Sequence, residues 1–150
     1  MIEISGDIWD LKFTPRVITT NGTVTAAGKA VMGRGVALDA KKKYPELSKK
    51  LAIRINNYGN IVQYFSYYKL FTFPVKHNWW EKADLKLIEK STNDLLSFVN
   101  AFTRQEVPGF EKIYMVRPGC ENGKRDWETE VKPILTKILD DRFIIVHKYR

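Results

Sequence analysis

A short glycine-bearing stretch, Met32-Gly33-Arg34-Gly35, stands directly before an apolar helical pattern and could bind phosphate. Glycines let main-chain N–H groups approach a ligand without an intervening Cβ. The N-terminus of a helix also favours an anion such as a pyrophosphate. The pattern is neither Gly-Lys-Ser/Thr nor G-x-G-x-x-G, so phosphate binding and a tightly packed helix start both stay open.

A second glycine-bearing loop, RPGCENGKRD at 117–126, precedes another helical pattern and repeats this arrangement. Gly119 and Gly123 again favour an anion cradle. Asp126 occupies a helix N-cap position, and the same carboxylate could orient a water or pair with a lysine from a neighbouring loop. Cys120 has no apparent His/Asp partners, so we expect a small packed residue there and not a nucleophile.

The stretch FPVKHNWW at 73–80 places Lys76 among aromatic residues. Desolvation by such neighbours lowers the pKa of a lysine and makes its amine available for proton transfer or nucleophilic attack. A solvated lysine beside a surface patch is the alternative. We expect His77 to be a packed neutral histidine, and Trp79 and Trp80 to fasten this loop to the core, although one of them could stack on a base.

The pair Asn21-Gly22 follows a predicted strand and is typical of a turn. The Asn21 amide could also donate to and accept from a sugar hydroxyl. His77, Cys120 and His147 show no metal-ligand spacing, and no G-x-S-x-G motif is present. The residue types therefore favour neither a metal site nor a serine hydrolase.

Strands that alternate with helices must position these loops. The patterns predict strands at Ile2–Ile4, Arg16–Thr19, Ile61–Ser66, Lys69–Phe73, Lys112–Val116 and Phe143–His147. They predict helices at Val36–Lys43, Glu46–Asn57, Ala83–Phe102 and Trp127–Leu139. Pro74 is expected to end its strand. This alternation is typical of an α/β sheet covered on both faces. Ligands bind such sheets beyond the carboxyl ends of the strands, where the loops 20–35, 74–82 and 117–126 would lie.

Composition bounds the possible partners. The 150 residues suit one domain, and the formal net charge of +8 favours a polyanion, either nucleic acid or a phosphate-bearing small molecule. The lysines at 41–43 and 49–50 are expected to form a solvated helix face. No apolar run is long enough to cross a bilayer, no secretory leader pattern begins the chain, and Cys120 is the single cysteine. We therefore expect a cytoplasmic protein with no membrane partner.

In its ordered motifs the chain resembles a macro domain, the ADP-ribose-binding α/β/α module. ISGDI at 4–8 is similar to the family's G-D-I/L after its first strand, and ITTNGTV…GKAVMGRGVALDAKKKYPEL is similar to its Asn-containing strand end and M-G-x-G-x-A loop. FPVKHNWWEKADLKLIEKS and RPGCENGKRDWETEVKPIL resemble one branch, the DNA-ADP-ribosyl glycohydrolase antitoxins and terminal-ADP-ribose glycohydrolases. That branch commonly shows F-P-T-K-x-H-W and G-C-G-…-W-E, from which Val75 and Glu121 depart.

The resemblance implies one macro domain over residues 1–150, a three-layer α/β/α fold with a mixed, mostly parallel central sheet. It assigns Asp7 and Ile8 to the adenine end and Asn21 to the distal ribose. Main-chain contacts to the diphosphate would come from Gly33, Arg34, Gly35 and Val36, and a second phosphate loop from Gly119, Cys120, Glu121, Asn122 and Gly123. Lys76 matches the branch's catalytic lysine, which attacks or protonates at the distal ribose C1″, and Asp126 is the best candidate for an acidic partner.

The function that the resemblance implies is a hydrolase without metal or cofactor that removes ADP-ribose from a modified macromolecule, DNA or protein. A phosphatase acting on ADP-ribose 1″-phosphate is the alternative enzyme, and it would depend more on Asn21 and the 20–35 loop than on Lys76. A binding module that holds ADP-ribose without turnover is a second class. The third is a basic nucleic-acid-binding protein whose glycine loops are structural.

Overall fold

A six-stranded sheet lies at the centre of the protein, whose computed structural model describes residues 1–148. Its strands are β1 Ile2–Ser5, β2 Arg16–Asn21, β3 Gln63–Phe65, β4 Leu70–Lys76, β5 Ile113–Met115 and β6 Phe143–His147. The helices are α1 Gly35–Lys43, α2 Leu47–Tyr58, α3 Leu85–Arg104 and α4 Lys132–Ile138, the last preceded by a π-helical turn over Trp127–Val131. No helix within residues 1–148 is both long and apolar enough to span a membrane.

The strands are ordered β1-β6-β5-β2-β4-β3, and every neighbouring pair is parallel except β3 and β4. Parallel neighbours need long crossover connections, which the helices supply here. All five parallel strands therefore end at the same edge of the sheet. At that edge the register of β2 and β4 shifts between Thr20 and Asn21, so that Asn21 pairs with Lys76.

Helices cover both faces of the sheet. Val17 and Ile18, adjacent on β2, belong to separate buried clusters because successive side chains of a strand point to opposite faces. The Val17 cluster takes apolar residues from α3 and α4, and the Ile18 cluster takes them from α1 and α2. The predicted three-layer α/β/α fold with a mixed, mostly parallel sheet is confirmed.

Helix α3 shows how the sequence pattern produces its element. The side chain of Asp84 accepts hydrogen bonds from the N–H groups of Lys86 and Leu87 and caps the first turn. The apolar side chains that recur every three or four residues are buried against β4 and α4. The predicted helix is thus confirmed, shifted by two residues at each end.

The prediction that Pro74 ends its strand is wrong, because β4 continues to Lys76. The antiparallel pairing with β3 stops at Gln63 and Thr72, so Pro74 lies beyond it. A proline without an N–H is tolerated at such an edge position. The Pro74 carbonyl accepts a 2.7 Å hydrogen bond from Ser91 Oγ, which joins this part of the strand to α3. Lys76 therefore stands at the end of a paired strand and not in a loop.

Candidate functional site

A cavity of about 1220 Å³ opens where the carboxyl ends of the parallel strands meet. This volume is enough for a nucleotide-sized ligand. All of the residues that the resemblance assigns to ligand binding or catalysis line it: Asp7, Ile8, Asn21, Gly33, Arg34, Gly35, Val36, Lys76, Gly119, Cys120, Glu121, Asn122, Gly123 and Asp126. The fold therefore brings residues from separate segments of the chain to one crevice, while the role of each residue stays a prediction.

The first glycine loop presents main-chain N–H groups that the protein does not use. Among residues 1–148, the N–H groups of residues 33–37 donate to no protein acceptor, and the first that does is that of Leu38, which donates to Arg34 O at 3.2 Å. Arg34 occupies the N-cap position with extended backbone and no side-chain capping bond. The N-terminus of α1 is thus open toward the cavity, which favours an anion.

Gly35 and Gly33 differ in what surrounds them. Gly35 has φ +57°, and a Cβ there would lie 2.8 Å from Asn122 Nδ2 of the second loop. A Cβ on Gly33 would meet nothing within 4 Å. The positive φ therefore favours glycine at position 35, and a side chain there would also have to displace the tip of the Asn122 side chain. Gly33 instead borders open space in the cavity.

The second glycine loop curls tightly on itself. Gly119 has φ +72°, and a Cβ on Gly123 would lie 2.5 Å from Gly119 O. The Gly119 carbonyl accepts from Arg125 N–H at 2.9 Å, and the Gly123 carbonyl accepts from Ala83 N–H at 3.0 Å. Within residues 1–148, the N–H groups of residues 119–123 have no protein acceptor. The carbonyl groups of this loop thus hold it to the rest of the fold, while the five consecutive N–H groups of residues 119–123 stay without a protein acceptor.

Lys76 joins the end of β4 to this second loop. Its Nζ donates to the main-chain oxygens of Asn122 at 3.1 Å and Trp79 at 3.3 Å. Burial, and then the positive charges of Arg34 and Lys124, lower the pKa of Lys76. No carboxylate of residues 1–148 lies within ion-pair distance of this amine. The Lys76 amine is therefore partly buried beside two other cations, and its catalytic role stays a prediction.

Solved structures resemble this fold over nearly the whole chain. The macrodomain of Thermus aquaticus DarG superimposes with a TM-score of 0.69 at 22% identity, over 99% of this chain and 97% of that one. The macrodomain of Mycobacterium tuberculosis DarG gives 0.70 at 21% identity, over 97% and 96%. Thermosipho africanus DarTG in complex with ADP-ribose gives 0.69 at 16% identity, over 99% of this chain and 42% of that one.

The chain has the macrodomain fold. No model of a protein family matches the sequence, and no curated protein matches it. The likeness is therefore one of structure, and the functional argument depends on the residues of the cavity.

Asp126 caps the π-helical turn that follows the second glycine loop. Its Oδ2 accepts from the Thr129 N–H at 2.8 Å and from Thr129 Oγ1 at 2.6 Å, and these bonds lower the pKa of Asp126. The predicted capping role is confirmed. No ion pair joins Asp126 to Lys76 within the described part of the chain, so its role as an acidic partner stays a prediction.

Asn21 is held in place by its own side-chain amide. Nδ2 donates to Val31 O at 3.0 Å, and Oδ1 accepts from Thr23 N–H at 2.9 Å. The turn reading is thus confirmed, and the amide keeps one free N–H and one acceptor lone pair for a sugar hydroxyl. Asp7 and Ile8 also line the cavity, where Asp7 Oδ1 accepts from Trp9 N–H and the Ile8 side chain is buried.

Two predictions for the 74–82 loop are wrong. His77 is exposed, and its Nε2 lies 2.8 Å from Asp84 Oδ2 in place of being packed. Trp79 and Trp80 are 47% and 64% exposed, so they do not fasten the loop to the core. Hydrogen bonds of the main chain hold the loop instead, among them Trp79 N–H to Thr23 Oγ1 at 3.1 Å. The desolvation of Lys76 therefore does not need packed tryptophans.

Cys120 agrees with the prediction of an unreactive residue. The side chain is half-buried, and burial raises the pKa of its thiol to about 12. A thiol with so high a pKa is protonated at neutral pH and is a poor nucleophile.

The sequence analysis missed a buried cation that shapes one wall. Arg16 opens β2, and its guanidinium donates to the main-chain oxygens of Ile8 at 2.6 Å and Asp10 at 2.9 Å. These bonds fix the segment that carries Asp7 and Trp9, both of which line the cavity. A charged residue at the start of an apolar strand is the signal that could have identified it.

Proposed function

We propose that residues 1–150 form one macro domain that binds ADP-ribose and hydrolyses its bond to a macromolecule, DNA or protein. Support for the ligand comes from the fold, since Thermosipho africanus DarTG, which shares it, was solved with ADP-ribose. Support from the chain itself comes from two sets of main-chain N–H groups that have no protein acceptor within residues 1–148 and belong to residues lining one cavity. The single half-buried cysteine is consistent with a reducing cytoplasm as its location.

The cavity offers a partner for each part of ADP-ribose. The free N–H groups of residues 33–37 and 119–123 would bind the two phosphates, as helix N-termini and curled glycine loops do elsewhere. Asp7 and Ile8 would hold the adenine end, and the remaining amide valences of Asn21 the distal ribose. Arg34 would add positive charge beside the diphosphate.

The observation that carries the enzymatic proposal is the environment of Lys76. Breaking the bond at C1″ passes through a cation-like ribose centre, as in glycoside hydrolysis. The neutral amine of Lys76 can take a proton from a water whose oxygen bonds to C1″ while the bond from C1″ to the macromolecule breaks, and the departing atom then takes up that proton from the ammonium. The lowered pKa of Lys76 makes the neutral form more accessible. Asp126 is the proposed acidic partner; because its lowered pKa keeps it ionised at neutral pH, it would stabilise the cation-like centre by its negative charge and would not donate a proton.

Calorimetry and turnover with matched lysine variants test this proposal. Wild type should bind ADP-ribose and release it from ADP-ribosylated DNA or protein. Lys76→Ala should bind ADP-ribose within a few-fold of wild type and lose roughly a hundredfold or more in rate, the usual scale for a catalytic base. Lys82→Ala removes an exposed lysine outside the cavity and should leave both unchanged. Equal cleavage by Lys76→Ala would overturn the catalytic assignment.

A binding module without turnover is the second candidate. It is favoured by the absence, among residues 1–148, of a carboxylate within ion-pair distance of Lys76. Binding of ADP-ribose with no release from either substrate would select it. Release of phosphate from ADP-ribose 1″-phosphate that depends on Asn21 and not on Lys76 would select the phosphatase. No binding of ADP-ribose at millimolar concentration would leave a nucleic-acid-binding protein.

A further inference from the structure

The end of β4, which carries Lys76, is fastened by an asparagine that does not line the cavity. Asn60 Nδ2 donates a 2.9 Å hydrogen bond to the main-chain oxygen of Lys76. The Lys76 amine donates in turn to the main-chain oxygens of Asn122 and Trp79. Lys76 is thus held at both ends, at its main chain by Asn60 and at its amine by the carbonyls of two loops.

Asn60 lies in the short connection between α2 and β3. Helix α2 ends at Tyr58, and the N–H of Gly59 donates to Ile55 O at 2.8 Å. The N–H of Ile61 then donates to Gly59 O at 3.0 Å. These two bonds fix the main chain on both sides of Asn60, whose side chain is half-buried. The connection therefore presents this side chain to β4 from a defined position.

The Asn60 amide packs directly against Gly22, in the loop that follows β2. A Cβ on Gly22 would lie 2.8 Å from Asn60 Cγ, 2.8 Å from Asn60 Nδ2 and 2.8 Å from His77 O. The Gly22 N–H itself donates to His77 O at 3.2 Å. A side chain at position 22 would therefore occupy the space of this amide, and its absence lets three segments of the chain meet.

These contacts set the position of Lys76 relative to Asn21. The register of β2 and β4 shifts just before Asn21, which pairs with Lys76. Such a shift disrupts the ladder locally and bends a strand, so the ladder alone does not fix the path of the chain beyond it. Asn60 and Gly22 donate to the next two carbonyls, those of Lys76 and His77. They therefore fix the strand end at the point where the ladder stops doing so.

We propose that Asn60 is a positioning residue, which holds Lys76 beside Asn21 in the geometry that hydrolysis at the distal ribose requires. For its effect on rate this inference rests on the proposed function. A misplacement of about 1 Å can cost an enzyme roughly a hundredfold in rate, even when its cause lies away from the reacting atoms. The contact also acts on the Lys76 amine when no substrate is present.

The surroundings of the Lys76 amine depend on where the end of β4 lies. The charged groups that face it are Arg34, from the first glycine loop, and Lys124, from the second. His77, the next residue along the chain, is directed to Asp84. Burial and the two cations lower the pKa of Lys76, so a strand end that can move away from them should have a lysine of higher pKa.

Two substitutions of Asn60 test the proposal by separating turnover from binding. Asn60→Ala and Asn60→Asp should each lower kcat about tenfold or more and leave KM and the Kd for ADP-ribose within about twofold of wild type. Asn60→Asp keeps the shape of the side chain but replaces the N–H donor by an ionised oxygen, which would repel the Lys76 carbonyl. Asn57→Ala is the matched control, because it removes an exposed asparagine of α2 outside the cavity, and it should leave kcat unchanged.

A second measurement needs no substrate. Trace acetylation of the protein across pH, followed by mass spectrometry of the peptide that contains Lys76, measures the pKa of this amine. The pKa should be higher in Asn60→Ala than in wild type or in Asn57→Ala. Urea unfolding of the same variants measures stability. A merely structural role for Asn60 would lower the free energy of unfolding and change neither this pKa nor kcat.

Two results would overturn the positioning role. The first is a wild-type kcat in Asn60→Asp, which would show that the hydrogen bond to Lys76 is not needed. The second is an unchanged pKa of Lys76 in Asn60→Ala. If wild type itself releases no ADP-ribose, the proposed function fails, whereas a raised pKa in Asn60→Ala would still support the role of Asn60 in placing the amine.

Discussion

Gly35 at the start of α1 lies so close to Asn122 that a Cβ on Gly35 would be 2.8 Å from Asn122 Nδ2. The main-chain oxygen of Asn122 accepts the 3.1 Å hydrogen bond from Lys76 Nζ. Asn122 therefore contacts both the first glycine loop and the proposed catalytic lysine. A change at Gly35 should be transmitted through Asn122 to the site of chemistry.

We expect Gly35→Ala to weaken ADP-ribose binding at least tenfold. The new methyl group would displace the Asn122 side chain, and the positive φ would cost about 1–2 kcal/mol of stability. Calorimetry measures the affinity, and urea unfolding measures the free energy of unfolding.

Gly28→Ala is the matched control for this prediction. Gly28 also has a positive φ, +76°, but a Cβ there would meet nothing within 4 Å, and the residue does not line the cavity. It should lose similar stability and keep its affinity for ADP-ribose. If both variants bind equally well, the approach of the two loops has no part in binding.

Hydrophobic patterns carried most of the fold prediction because they report which face of each element is buried. The strand Phe143–His147 has the bounds that its pattern predicted, and α3 shows the expected apolar stripe. Pro74 shows where local pattern fails, since whether a proline ends a strand depends on the neighbour that its missing N–H would have faced.

The sequence predicted which loops form the candidate site, but it did not predict the contacts between them. Glycines before helices and strand ends drew attention to the right segments, and the topology then brought them together. The bond between Lys76 and Asn122 joins residues 46 positions apart, and no local pattern encodes it. The exposure of Trp79 and Trp80 was missed for the same reason, because main-chain bonds with distant partners hold that loop.

Asp84 is expected to stabilise the protein in a pH-dependent way. It caps α3, and the hydrogen bond from His77, followed by those of the main chain, lowers the pKa of Asp84 from its ordinary 3.8. A carboxylate with a lowered folded-state pKa contributes stability above its unfolded pKa and loses it as the pH falls through the folded value. Asp84→Ala should therefore cost about 1 kcal/mol at neutral pH, the usual value of an N-cap.

Urea unfolding across pH checks this expectation for Asp84. The gap between wild type and Asp84→Ala should narrow as the pH falls below 3.8. Asp84→Asn retains a capping oxygen and should lose less at neutral pH than the alanine variant. A gap that stays constant in acid would show that the charge of Asp84 contributes nothing.

Asp126 has a confirmed capping role and a proposed catalytic one, and two substitutions separate them. Asparagine also caps helices well, so Asp126→Asn should keep the fold while it removes the charge. If the carboxylate takes part in hydrolysis, this variant should lose roughly a hundredfold in kcat. Asp126→Ala should lose stability in addition. Single-turnover assays of wild type and the two variants measure this rate. Full activity in Asp126→Asn would show that Asp126 has a structural role only.

The pH profile of hydrolysis should respond to Lys124. Its charge is one cause of the lowered pKa of Lys76, so Lys124→Asn should raise that pKa. Asparagine tolerates the backbone φ of +60° at this position. If the neutral amine of Lys76 acts, kcat/KM rises as the pH rises through the pKa of this amine. In Lys124→Asn this rise should occur at higher pH, and at alkaline pH the kcat/KM of the variant should equal that of wild type. Lys137→Asn, with the same charge change on α4, should leave the profile unmoved. A rate that falls with pH would instead assign Lys76 as the proton donor.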